Sequence, residues 1–181
     1  MKTIIALLCM IPGLAFPSEN AAICPDNSFT CLERHMNDFY LADHDRFYSV
    51  YKQTFKQALQ CRNYKDVARY LTIHSYSTAQ DIAEINESME QDTEALLLLK
   101  PKCFFEGYLL LTPQQQANLI GSYHLFSRPN HVMQLLHKFM QAGKYKHVAT
   151  LIYNANQESY QSYGKDAEDA PMDDLYQKYK Q

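Results

Sequence analysis

The sequence predicts an all-α protein: a bundle or short superhelix of about six to seven helices, arranged as hairpins and stabilised by disulfides. Glycine, which weakens helices, occurs only five times in 181 residues. Apolar residues recur every three or four positions along most of the chain, which is the period of a helix face. An even number of cysteines follows an N-terminal leader, and the length fits one domain with one hydrophobic core.

The first 15 residues have the pattern of a secretory signal peptide. Lys2 precedes an apolar run that extends to Leu14, and Gly13 and Ala15 are the small residues expected before a cleavage site. Cleavage as late as residue 21 also fits the sequence. Because the apolar run is shorter than the roughly 20 residues of a membrane span, we expect an exported protein, periplasmic or secreted, with no membrane span.

Four cysteines follow the leader: Cys24, Cys31, Cys61 and Cys103. In an exported chain they favour disulfides, and four cysteines allow three pairings. The short loop between the first two favours Cys24–Cys31, which leaves Cys61–Cys103 as the second bridge. The alternative is a zinc site, but the first pair is spaced more widely than the close cysteine pairs of zinc sites.

The charge and the motifs of the sequence limit the functions that it can be expected to have. The formal net charge is −3, and no basic patch interrupts it, so a nucleic-acid partner is not expected. No zinc-protease, serine-hydrolase or phosphate-loop motif is present, and we expect no cofactor.

Capping patterns locate the first helices. Thr30 and Glu33 form a capping box, which predicts a helix start near Cys31. An apolar stripe from Phe47 to Leu59 predicts a second helix, and Arg62-Asn63 predicts the turn before a third.

A longer helix is predicted next, with Thr78 as its cap and Pro101 at its end. Its carboxylates have the pattern of a solvated outer face: Glu84, Glu87, Glu90 and Glu94. Residues 103–111 mix helix and strand formers. We interpret them as a helix with Gly107 as a weak point, because a lone strand has no partner here.

The second half has the clearest helix start. Thr112-Pro113-Gln114-Gln115 combines a capping residue, a proline at the first helical position and a glutamine that completes a capping box. Asn130 is predicted to cap the following helix, and Gly143 to end it.

Residues 157–181 are predicted to form a polar, acidic and flexible tail behind a single helical domain of residues 22–156. The tail has the pattern of one short helix, with Pro171 at its start and Leu175, Tyr176 and Tyr179 on one face. A frayed end and a docking peptide for a partner are the two interpretations.

Two stretches of the chain are alike. Tyr64 and Tyr145 lie 81 residues apart, and each begins a Tyr-Lys-x-Val-Ala sequence just after a turn. This pattern resembles the helical hairpins of tetratricopeptide repeats, although the copies do not follow the family's period of about 34 residues. The resemblance implies a surface that binds peptides or protein segments. The candidate binding residues are the tyrosines of the two hairpins: Tyr64, Tyr70, Tyr145 and Tyr153.

A second hypothesis is a metal-dependent hydrolase. The stretch from His35 to Asp45 is crowded with potential ligands, and His35, Asp38 and His44 are the candidates. A solvated break between helices is the simpler interpretation of this stretch. We therefore predict an exported, non-catalytic scaffold that binds a protein or peptide partner, with the hydrolase and a secreted effector or inhibitor as alternatives. The sequence leaves the oligomeric state open.

Overall fold

A computed structural model describes residues 29–36, 40, 44–79, 83–120, 127–141 and 143–179, and this part of the chain is all-α, as predicted. It has slightly more helices than the six to seven expected. In chain order they are α1 (Phe29–Arg34), α2 (His44–Gln60), α3 (Tyr64–Ala79), α4 (Ala83–Leu99), α5 (Pro101–Tyr108), α6 (Pro113–Ile120), α7 (Pro129–Met140), α8 (Lys146–Ser159) and α9 (Met172–Lys178), with a π-helical turn, Tyr160–Gly164, after α8. None of the described helices is long and apolar enough to cross a membrane.

The two similar stretches form two helical hairpins. In the first hairpin α2 packs on α3, and in the second α7 packs on α8. Gly143 takes the left-handed backbone conformation in the second turn, with φ of 85°, whereas Cys61 takes it in the first turn, with φ of 53°. Because Arg62, and not Cys61, is the counterpart of Gly143, the two turns are not copies of each other.

Helix α3 lies at the centre of the core and packs on α2, α4, α5 and α6. The largest fully buried side chains are mostly aromatic: Tyr51, Tyr70, Tyr108, Phe47, Phe104, Phe105, Leu71 and Ile73. Helices α3 and α5 are in close contact at Gly107, where a Cβ atom would lie only 2.3 Å from Cγ1 of Val67. Gly107 is therefore required by packing.

Helix α5 holds the turns of both hairpins. Cys103 forms a disulfide with Cys61 in the first turn, with the two Cα atoms 6.0 Å apart, which confirms this pairing. On the second turn, the Tyr145 hydroxyl donates to Oε1 of Glu106 at 2.7 Å, and Lys144 bonds to the same oxygen. The ring of Phe105 stacks on Tyr145 at 5.3 Å.

The predicted Cys24–Cys31 bridge cannot be compared with the structure. Cys24 lies outside the described residues, as does the Cys31 side chain. The predicted leader, residues 1–15, also lies outside them.

Local signals predicted some helix starts correctly. The Thr112 capping box is present: Oγ1 of Thr112 accepts from the Gln115 backbone N–H at 3.3 Å, and the Gln115 side chain accepts from the Thr112 N–H at 2.9 Å. A helix lies where the Thr30 capping box predicted one, near Cys31, but Thr30 belongs to α1 (Phe29–Arg34) and does not precede it. Thr78 is also not a helix start. It belongs to the last turn of α3, where its hydroxyl donates to the His74 carbonyl at 3.0 Å.

The N-terminus of α7 is capped from far away in the sequence. Instead of the predicted Asn130 side chain, the Asp169 carboxylate accepts from the backbone N–H groups of Asn130 at 3.0 Å and His131 at 2.8 Å. The prediction of an Asn130 cap is therefore wrong, because a residue 39 positions later takes that place.

Residues 165–179 pack on the domain, contrary to the expected flexible tail. The Ala170 N–H donates to the Ser127 carbonyl at 3.1 Å, and Leu175 of α9 is buried. The Tyr179 hydroxyl donates to Oδ1 of Asp92 at 2.5 Å, across 87 residues of sequence. The tail is thus a structural part of the folded chain.

Candidate functional site

A cleft of about 850 Å³ separates α9 from the ends of α2 and α4. This volume falls in the range of clefts that bind small ligands. The hairpin side and the α4 end contribute Leu59, Gln60, Arg62, Leu99 and Lys100, and α9 contributes Asp173, Tyr176, Gln177 and Tyr179. We call this space the α9 cleft.

The inner part of the α9 cleft is apolar and aromatic. Leu59 is buried and Leu99 half-buried, so their side chains present an aliphatic surface. Tyr176 keeps 56% of its surface exposed, while the ring of Tyr179 packs edge-on against Phe55 at 5.5 Å. An exposed tyrosine above a buried aliphatic surface is typical of protein contacts, since tyrosine packs through its ring and keeps its hydroxyl in water.

Two cations lie beside this surface. Arg62 follows the end of α2 and Lys100 follows the end of α4, so each offsets the negative end of a helix dipole. Neither forms an ion pair with any side chain that the structure describes. Lys52, by contrast, is paired with Asp92 at 2.9 Å.

The disulfide holds these two cations on one wall of the cleft. Arg62 is bonded directly to Cys61, and Lys100 lies one helical turn before Cys103, with its carbonyl accepting from the Phe104 N–H at 3.0 Å. The bridge therefore fixes the backbone that carries both charges.

A buried carboxylate anchors α9 on the other wall. Asp92 is only 2% exposed, and its oxygens accept from Tyr179, from Tyr51 and from the Lys52 ammonium. Burial, followed by hydrogen bonding to Asp92, raises the pKa of the Tyr179 hydroxyl, which keeps it a neutral donor. The position of α9, and hence the shape of the cleft, depends on this network.

Next to Asp92 the network continues through the core. The Tyr70 hydroxyl donates to the Met89 carbonyl at 3.0 Å and lies 2.8 Å from the Thr93 hydroxyl, which lies 2.8 Å from Nδ1 of His74. Burial lowers the pKa of His74 to about 3, so the imidazole is neutral near pH 7. These groups stabilise the interior and do not reach the cleft.

The four tyrosines predicted to bind a partner lie in different environments. Tyr64 is 38% exposed, whereas Tyr70 is fully buried and has no surface to offer a partner. Tyr145 is bound to Glu106, and the half-buried ring of Tyr153 lies 6.4 Å from that of His137. No ring contact or hydrogen bond joins any two of the four.

Sequence reasoning missed Tyr176 and the two cations as site residues. A signal was present, since Leu175, Tyr176 and Tyr179 were predicted to share a helix face. In the structure that face divides: Leu175 points into the core, and Tyr176 lines the cleft.

Only two of the three candidate metal ligands lie within the described residues. His35 and His44 are exposed, and Asp38 lies outside the described residues. In the part of the chain that the structure describes, no three His, Cys, Asp or Glu side chains are grouped to hold a metal ion.

The carboxylates of α4 form the predicted solvated face only in part: Glu87 is exposed, and the Glu84 side chain lies outside the described residues. Glu94 is 1% exposed and accepts from the backbone N–H groups of Arg128 at 2.6 Å and Ser127 at 3.2 Å. Burial, and then the neighbouring Glu87, raise the pKa of Glu90 to about 7. Two of the predicted surface carboxylates are thus partly or fully internal.

Comparison of the chain with protein-family models, with curated proteins and with solved structures gives no match. Its function is therefore inferred from its own geometry.

Proposed function

We propose that this chain is an exported, non-catalytic scaffold that binds a segment of a protein partner in the α9 cleft. The observation that carries the proposal is the open space of about 850 Å³ between α9 and the first hairpin, with an apolar interior and two unpaired cations. Grooves of this kind bind protein segments by combining an apolar anchor with polar contacts at the rim.

The exposed ring of Tyr176 supports a protein partner. Tyrosine is enriched in protein interfaces because its rigid ring contributes a large contact area at a low cost in conformational entropy. The export proposal is supported by the leader and by the Cys61–Cys103 disulfide, since such bridges persist in oxidising compartments.

A binding role also suits the polar groups behind the cleft. Asp92 is buried, and its oxygens are occupied by tyrosine hydroxyls and an ammonium group. The Tyr179 hydroxyl is directed at Asp92. These groups therefore hold α9 in position, and the surface left for a partner consists of Leu59, Leu99, Tyr176 and the two cations.

Site-specific photo-crosslinking in the producing cell tests the proposal. The photoreactive residue p-benzoylphenylalanine is introduced at Tyr176, and in separate chains at Tyr64 and at Tyr163, which is 84% exposed and does not line the cleft. We expect a discrete protein adduct from position 176 and none from position 163. An adduct from position 64 would extend the contact to the predicted tyrosine face of the hairpins.

Two results would contradict the proposal. Illumination that gives no adduct from position 176 would remove the cleft as a contact surface. Equal adducts from positions 176 and 163 would indicate unspecific crosslinking of exposed rings.

A further inference from the structure

Resting on the proposed function, we infer that the segment bound in the α9 cleft is acidic. An aspartate or glutamate side chain of the partner contacts Arg62 and Lys100, and a neighbouring aliphatic or aromatic side chain packs against Leu99 and Tyr176. The partner is thus defined by a carboxylate next to an apolar residue.

Two cations without an ion pair among the described residues, Arg62 and Lys100, lie together in the α9 cleft. Lys52 pairs with Asp92, Arg69 with Asp66, and Lys144 with Glu106, whereas Arg62 and Lys100 pair with no described carboxylate. Both of these unpaired cations line the one cleft, beside its apolar interior. Complementary charge at such a rim steers the partner and fixes its orientation.

The cationic wall of the cleft is preorganised. The disulfide joins the segments that carry Arg62 and Lys100, with the Cα atoms of Cys61 and Cys103 6.0 Å apart. Because the backbone of the cationic wall is fixed before binding, less conformational entropy is lost when a carboxylate contacts it. This arrangement therefore raises the affinity for a ligand whose carboxylate contacts both cations, and it does not raise the affinity for a ligand that contacts neither.

On the opposite wall of the cleft, Asp173 lies in the first turn of α9 and lines the cleft. Its carboxylate repels a second acidic group on that side, so the acidic residue of the ligand faces the hairpin and not α9. The cleft therefore distinguishes the orientation of the segment as well as its charge.

Selection from a random dodecapeptide library displayed on phage tests the inference. The targets are the mature oxidised protein, the cleft variant Arg62→Glu/Lys100→Glu, and a control variant with the same change in charge, Lys56→Glu/Lys146→Glu. Lys56 and Lys146 are exposed and do not line the cleft. Circular dichroism and intact mass verify that each variant is folded and retains its disulfides.

We expect the wild-type protein to enrich peptides with Asp or Glu beside Leu, Ile, Val, Phe or Tyr. A synthetic peptide of the consensus sequence should bind the cleft variant about tenfold or more weakly. It should bind the control variant within about twofold of wild type, and its affinity should fall as salt is raised.

The failures are distinguishable. Enriched peptides that lack acidic residues, or that bind the cleft variant unchanged, overturn the acidic specificity. If such peptides still lose affinity when Tyr176 is replaced by alanine, the cleft is a peptide site of another specificity and the proposed function stands. A library that yields no specific binder contradicts both proposals.

Discussion

The two hairpin turns are attached to the same helix, α5, by different chemistry. The first turn is joined covalently through Cys61 and Cys103, whereas the second is held by the contacts of Tyr145 with Glu106 and Phe105. The shared Tyr-Lys-x-Val-Ala sequence does not account for this difference, although the valine of each copy is buried. The difference indicates that the covalent turn is the rigid one, and it is the turn that carries the cleft.

The largest expected effect comes from removing the covalent attachment. Replacing Cys61→Ser together with Cys103→Ser opens a loop with a sequence separation of 42 residues. In the chain-entropy model this lowers the free energy of unfolding by about 4 kcal/mol. Urea unfolding of the wild-type and double-variant proteins measures the change.

A loss near zero would mean that the noncovalent contacts alone hold the first turn, and the comparison between the turns would fail. Reducing the wild-type protein is an unsuitable control, since it also opens any other bridge.

The next largest loss of stability is expected where α5 lies close to the first hairpin, at Gly107. Gly107→Ala places a methyl group against Val67, and overpacking of this kind costs about 1–3 kcal/mol. Gly143→Ala meets no atom within 4 Å, so it costs only the left-handed backbone strain, roughly 1–2 kcal/mol. Thermal unfolding of both variants gives the comparison.

A second substitution, Val67→Ala, distinguishes overpacking at Gly107 from backbone strain at Gly143. Adding Val67→Ala to Gly107→Ala should cost less stability than the sum of the two single changes, because it removes Cγ1 of Val67, the nearest atom that the new methyl group meets. Adding Val67→Ala to Gly143→Ala should destabilise further. If the first pair is simply additive, close packing at Gly107 is not the cause.

The hairpins should also differ in their response to acid. His74 in the first hairpin is fully buried with a pKa of about 3, whereas His137 and His147 in the second are exposed. Because the unfolded chain binds a proton near pH 6.5 and the folded His74 does not, its contribution is complete above pH 6.5. It is lost as the pH falls, at a rate approaching about 1.4 kcal/mol per pH unit.

Comparison with His74→Asn isolates this contribution. Glu90 acts in the opposite sense, since its raised pKa of about 7 makes stability fall as the pH rises from 4.5 to 7. Urea unfolding between pH 5 and 7 should show a steeper acid loss in wild type than in the variant. Identical slopes would mean that His74 takes up its proton in the folded protein as readily as in the unfolded chain.

Sequence alone predicted the features that depend on near neighbours. The Thr112 capping box lies within four residues, and the Cys61–Cys103 pairing followed from assigning the short-loop cysteines to each other. The Asn130 cap was wrong because Asp169 arrives from 39 positions away. The α9 cleft could not be predicted for the same reason, since it exists only where Tyr179 reaches Asp92 across the domain.

The smallest expected effect is on the reversible attachment of the second turn. Hydrogen bonds from Lys144 and then Tyr145 lower the pKa of the Glu106 carboxyl, so its contribution is present above the pKa of the unfolded chain and lost as the pH falls through the lower folded pKa. Glu106→Gln should lower the Tm only slightly, because these side chains are near the surface and water replaces their contacts. Hydrogen exchange should quicken at residues 143–146 and stay unchanged at residues 61–64. Faster exchange in the first turn would mean that α5 couples the two turns, and the covalent turn would then not be independently rigid.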